Sequence, residues 1–180
     1  MEKIIVTEEI IWLAEKRIKE IPLLKGSILG EPAKVIGEIG EVLFENFIKA
    51  NGLTVRKEKD EVARYNHDFV VDEKFKIEVK TKDRNGPPKP YYDCSVNDSS
   101  LKNQKPDFFF FITLVRGKGV IIEGYLLGAI NLPNLLTKGE AWEKGEVDAR
   151  NGKVVSHSCV NIEIKDLVSN DEFINILKGE

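Results

Sequence analysis

Asn66-His67-Asp68-Phe69-Val70-Val71-Asp72-Glu73-Lys74-Phe75-Lys76-Ile77-Glu78-Val79-Lys80 alternates at period two between charged and apolar residues, the pattern of a β-hairpin. With Asp72-Glu73-Lys74 as a three-residue loop, Val71 stands opposite Phe75, Phe69 opposite Ile77 and Asp68 opposite Glu78. Phe69, Val71, Phe75, Ile77 and Val79 then share one face, and Asp68, Glu78 and Lys80 the other. Two carboxylates at a cross-strand Cβ separation of about 4.5–5.5 Å repel one another. A hard divalent cation bound through their oxygens would offset that repulsion and leave the lysine free for a water or an oxyanion. The competing reading is an edge hairpin with one solvated face.

Length and composition bound the rest. One hundred and eighty residues suit a single domain with one hydrophobic core. No run approaches the length of apolar residues that a membrane helix needs, and the Met1-Glu2-Lys3 start is too short and too charged for a signal peptide. The expected location is therefore cytoplasmic, a host's cytoplasm if the protein is viral, with no membrane partner. Cys94 and Cys159 stand far apart with no second Cys or His at ligand spacing, which reads as two reduced thiols and no zinc site. The net charge of −3 excludes wholesale coating of nucleic acid but allows a local basic groove.

Outward from the hairpin, Thr7 caps a predicted helix over 7–21 that Pro22 ends. After the Gly26 to Gly30 connector, Pro32 opens a second helix running to about Ala50, with Asn51-Gly52 as a left-handed stop. Lys34, Glu38, Glu41, Glu45 and Lys49 form its polar stripe, by default a wet face. A strand spans 53–57, and 63–65 are candidates for an early start to the hairpin. Residues 81–103 read as loop with at most a short helix at 99–103. The apolar run 108–115 fits a buried central strand that pairs with 120–127 through the turn at 116–119. Patterning over 129–153 is weak; a strand over 159–164 and a helix over 166–178 follow.

Three separated pieces of the chain resemble the PD-(D/E)XK nuclease superfamily in order and spacing. Gly40-Glu41 with Leu43, Phe44, Phe47, Ile48, Asn51-Gly52 and Val55 is similar to the family's opening helix and first strand. Asp68 stands in the place of the signature aspartate, preceded by His67 where many members have proline. Glu78-Val79-Lys80-Thr81-Lys82 is similar to the Glu-Val-Lys-Thr-Arg form, and Pro106-Asp107 before 108–114 resembles the strand that completes the core. The resemblance covers about 33–127 and extends to small archaeal, viral or Holliday-junction-resolvase-like nucleases. It implies an α/β, restriction-endonuclease-like core with a mixed central β-sheet flanked by helices, the helix at 7–21 and the extension 128–180 packing on it as one domain.

The activity implied is that of a metal-dependent DNA endonuclease, a hydrolase of phosphodiester bonds using a metal-activated water. Asp68, Glu78 and the Val79 carbonyl would hold Mg²⁺, with Mn²⁺ able to substitute. Glu41 would face the same centre from the helix, and Lys80 would sit beside the water. Gly37 and Gly40 would let the helix approach the sheet. Lys82, Arg84, Lys89, Lys102 and Lys105, interleaved with Tyr91 and Tyr92, are candidates for DNA binding, solvated loop charges being the alternative. His67 points to the other pleat face and reads as a core histidine; Gln104 matches nothing closely enough to use. A homodimer is expected, because one such site cuts one strand; 129–159 and the strand after it, with Gly128, Gly139, Gly145 and Gly152 to bend it, would supply either the self-association surface or a substrate-specific flap, cover for the sheet edge of a monomer being the alternative. The alternative function is a catalytically silent nucleic-acid-binding or interaction module that retains the nuclease fold.

Overall fold

The computed structural model describes residues 1–20, 31–58, 66–149 and 152–180. In chain order these are β1 (Glu2–Ile5), α1 (Glu8–Glu20), α2 (Glu31–Ala50), β2 (Val55–Lys57), β3 (Phe69–Val71), β4 (Phe75–Arg84), β5 (Asp93–Asn97) and α3 (Asp98–Asn103). There follow β6 (Phe108–Gly117), β7 (Val120–Ile130), α4 (Leu132–Lys138), β8 (Glu140–Trp142), β9 (Val147–Asp148), β10 (Lys153–Val154), β11 (Cys159–Glu163) and α5 (Asn170–Lys178). The protein is mixed α/β, built on a central sheet in the order β1-β7-β6-β4-β3-β2. Only the β4 and β6 pair is parallel; the other neighbours run antiparallel, so the sheet is mixed.

The hairpin has the register its alternation predicts, Phe69 opposite Ile77 and Val71 opposite Phe75. Asp72 and Glu73 both adopt left-handed backbone angles, φ 48° and 52°. Aspartate tolerates that conformation, and here its Oδ1 accepts hydrogen bonds from the Thr54 backbone N–H and hydroxyl at 2.8 Å each, which ties the turn to the start of β2. β3 begins only at Phe69, opposite Ile77, while β4 continues for seven residues beyond its pairing with β3, alongside β6. That unequal length leaves a fork, and the charged face of β4 begins there.

The continuous apolar run of β6 is explained by burial on both faces. Phe108, Phe110, Ile112 and Leu114 face the larger core with α1, α2 and α5, where Phe110 packs against Phe44, Phe47 and Phe173. Phe109 and Phe111 face a second core with Val96, Val160 and Ile162 from β5 and β11. Helix α2 lies close to the sheet because Gly40 has no side chain: a Cβ there would fall 1.9 Å from the Thr81 hydroxyl. Gly37 serves no such purpose, since nothing lies within 4 Å of its Cβ position. Thr7 caps α1 as expected, its Oγ1 accepting from Ile10 N–H at 3.4 Å. The Asn51-Gly52 stop is also present, with Gly52 at φ 78°.

Three expectations need correction. β1 was not foreseen; it pairs with β7 at the sheet edge, and its four residues carry too little pattern to stand out. The short helix expected near 99–103 is present as α3, but the rest of 81–103 is not simply loop: it holds the end of β4 and all of β5. Its strands are short and polar because β5 is buried on alternate positions only, at Cys94 and Val96. The final helix begins at Asn170, not 166, where the Ser169 hydroxyl accepts from Glu172 N–H. In 128–180, β8 and β11 join β5 of the preceding segment in a three-stranded sheet over the second core, and Gly128 and Gly139 make close contacts inside the chain, against Val168 and Leu135. Pro22, the connector 26–30 and the strand start at 63–65 lie outside the described residues. Among the described residues no helix is long and apolar enough to cross a membrane.

Candidate metal centre at the fork

Asp68 sits at the mouth of the fork, one residue before β3, and its position is set by its backbone: Asp68 N–H donates to the Ile77 carbonyl at 3.0 Å. Its carboxylate turns back to accept from Val79 N–H at 2.8 Å. In an extended strand one residue's N–H and C=O point to the same edge, so the Val79 carbonyl faces this side as well. Asp68 keeps part of its surface accessible but is densely surrounded by protein. That burial, with the charges of Glu78 and Glu41 adding, holds its carboxyl well above the usual carboxylate range.

Glu78, buried, is the next charged residue along β4. Its Oε1 accepts from Lys80 Nζ at 2.8 Å and from Gln104 Nε2 at 2.6 Å. Its Oε2 is buried without a hydrogen-bond partner. Lys80 is held more firmly than expected: Nζ also donates to Ser100 Oγ at 3.1 Å and to Gln104 Oε1 at 3.0 Å. All three ammonium protons thus have acceptors within the chain. Ser100 and Gln104 come from α3 and the residue that follows it, a segment packed over the same face of β4.

The polar stripe of α2 is not a wet face. Glu38 is buried, and Lys57 at the end of β2 bridges it at 2.5 Å and Glu41 at 2.7 Å. Arg17 from α1 reaches Glu45 at 2.7 Å and Glu38 at 3.6 Å. Burial lifts the Glu41 pKa to about 7, Glu38 and Glu78 push the same way, and Lys57 opposes them. Burial alone would lower Lys57, but Glu41 and Glu38 outweigh it, so its pKa is raised and the ammonium stays charged. The charges of Glu78 and Glu41 thus both act on Asp68, and that of Glu78 on Glu41. Among the described residues no group of three or more His, Cys, Asp or Glu side chains is placed to hold a metal ion. Two of these three carboxylates are instead engaged by Lys80 and Lys57.

The remaining candidates separate. Lys82 and Arg84 continue the charged face of β4 beyond Lys80 into a neighbouring groove. Lys89 lies 5.7 Å from the Tyr91 ring, Lys102 pairs with Asp98 at 3.1 Å, and Lys105 is exposed just after Gln104. His67 is buried, and burial lowers its pKa, as befits a core residue. Cys94 is buried and its thiol pushed up to about 12, so it is no nucleophile. Sequence reasoning missed Gln104, Ser100, Lys57 and Glu38. The weak signals for the first and third were the chain's only glutamine standing just before the central strand, and a lysine two residues after Val55 on a short strand.

The raised carboxyls make a pH prediction. Folded-state pKa values above the unfolded ones mean that the folded chain holds more protons between about pH 4.5 and 7, so metal-free stability falls as pH rises through that window. His67, with its lowered pKa, works in the opposite sense. Melting temperatures in chelator should therefore fall less steeply with pH in Glu41→Gln than in the wild type; equal slopes would show that Glu41 ionises normally.

Comparison of the chain with models of known protein families and with curated proteins finds no match. The reading of this centre rests on its own geometry.

Proposed function

We propose that the protein is a metal-dependent DNA endonuclease of the PD-(D/E)XK type, with β2, β3, β4, β6 and α2 as a restriction-endonuclease-like core. The observation that carries this reading is Glu78 Oε2, a buried carboxylate oxygen with no partner, at a fork shared with Asp68 and Glu41. An ordinary solvated hairpin face would not bury such an atom. The donor set fits a hard divalent cation: the carboxylates of Asp68 and Glu78 and the Val79 carbonyl would hold it, with Glu41 supporting from α2. Bound Mg²⁺, or Mn²⁺ in its place, would neutralise phosphate charge and acidify a water.

The chain's own residues do the positioning. Asp68 is aimed by Val79 N–H, and Glu78 by Gln104 and Lys80. Lys80 can exchange one of its three acceptors for a phosphate oxygen and so balance the charge that builds up there. Lys57 holds Glu41 in an ion pair at 2.7 Å and restrains its protonation.

Nicking of supercoiled plasmid DNA with Mg²⁺ or Mn²⁺, and none in chelator, is the expected result. Added Mg²⁺ should also raise the melting temperature, more at pH 8 than at pH 5, because protons compete for the same oxygens. DNA binding without cleavage under any divalent ion would favour the silent module instead. Double-strand cuts would require two copies, and sedimentation of the protein with and without DNA tests for the homodimer.

A further inference from the structure

The side chains of Glu78, Lys80, Lys82 and Arg84 share one face of β4 at a spacing of about 6.8 Å, two residues of strand apiece. The last two pass into a groove of about 860 Å³ beyond the fork, walled by β5 and β11 on one side and the β9 and β10 ribbon on the other. Burial holds the Lys82 ammonium below its usual range, Arg84 and Lys153 of the ribbon adding to this and Asp93 opposing it, so three cations meet in a groove that Asp83, Asp93 and Asp148 also line. Arg84 donates to the Asp93 carbonyl at 2.9 Å and lies 4.9 Å from the Tyr92 ring, and its Nε–H is buried without an acceptor. Tyr91, 57% exposed, stands edge-on to Tyr92 at the rim.

We infer that this groove binds a single strand of DNA leading to or from the cleavage centre, with phosphates at Lys82 and Arg84 and a base stacked on Tyr91. The inference rests on the proposed endonuclease activity for its biological meaning but not for its test. Cations on one wall with an exposed aromatic at the rim are what sequence-tolerant recognition of a single strand requires. The size decides against a duplex: the groove has the volume of a pocket for a drug-sized ligand, roughly 300–1,000 Å³, enough for a few nucleotides of one strand. The substrate class is then DNA with an unpaired segment, such as a flap, fork or open junction.

Fluorescence anisotropy of a labelled oligothymidine of about twelve nucleotides, in chelator so that nothing is cut, tests this. The wild type should bind it more tightly than a duplex of equal length. Tyr91→Ala should weaken binding about tenfold, the loss of one stacked base, while Tyr91→Phe binds as the wild type. Lys82→Ala should weaken it and lower the slope of log affinity against log salt by about 0.7. Equal or tighter duplex binding, tighter binding of the matching RNA, or unchanged affinity in both Tyr91→Ala and Lys82→Ala would overturn the inference. Binding as described with no plasmid cleavage would retain the groove and refute the nuclease reading; cleavage with no strand preference would do the reverse.

Discussion

Replacing Asp68 with asparagine is expected to cut divalent-dependent cleavage by at least about a hundredfold, since loss of a residue that merely supports a metal ligand costs up to that much. The same change should raise the melting temperature of the metal-free protein by a few degrees. Both follow from one geometry. Asparagine's Oδ1 can still accept from Val79 N–H, so the chain path is kept. What disappears is a negative charge that burial, Glu78 and Glu41 all resist. The folded protein is relieved of that repulsion, and the centre loses an anionic oxygen that the proposed Mg²⁺ would need. Plasmid nicking and thermal melting in chelator check the two halves separately. Wild-type cleavage by the variant would place the chemistry elsewhere, and a lower melting temperature would mean that the carboxylate is a structural group.

Lys57→Met is expected to destabilise the fold by roughly 3–5 kcal/mol, the cost of leaving buried carboxylates without their cation. The Lys57 side chain is only 17% exposed and bridges Glu38 and Glu41, joining β2 to α2. Arg17 remains 3.6 Å from Glu38 but does not replace the bridge to Glu41. Glu41, already raised to about 7 against Lys57's opposition, should climb further and take up a proton in mildly acidic buffer. The loss should therefore be larger at pH 8 than at pH 5, on the order of 10 °C in melting temperature at the higher pH. Arg56→Met, which removes a half-exposed partner of Glu58 next door, should change little. Similar melting temperatures for the two variants would show that the Lys57 bridge is a surface pair in practice.

The sequence by itself determined the hairpin, its register and the identity of its charged face. Period-two alternation leaves few ways to pair 68–80, and a slip by one residue would expose Phe69, Val71, Ile77 and Val79. It also determined α2 and its Asn51-Gly52 stop, the central strand β6, and hence a mixed sheet flanked by helices. These signals are local: each is written within the residues that form the element. β1, β5 and β8 were not legible, because strands of three to five residues bury too few side chains to leave a period, although β11, which β5 and β8 flank, was read within 159–164.

What only the tertiary structure decided is who meets the charged face. Gln104 and Ser100 reach Lys80 from 20 to 24 residues away, and Lys57 reaches Glu38 across 19. Nothing local to any of them encodes a partner. The acidic stripe of α2 reads as solvated until β2 and α1 bring Lys57 and Arg17 against it, and Lys80 reads as free until α3 folds over β4. Side-chain charge is visible in a sequence, but the burial that makes it consequential is a property of the packed chain. That is why Asp68, Glu78 and Lys80 could be named from the strand pattern, whereas the orphaned Glu78 oxygen and the groove beyond Lys80 emerge only when β4 outruns β3 and the β5 and β11 sheet closes over the second core.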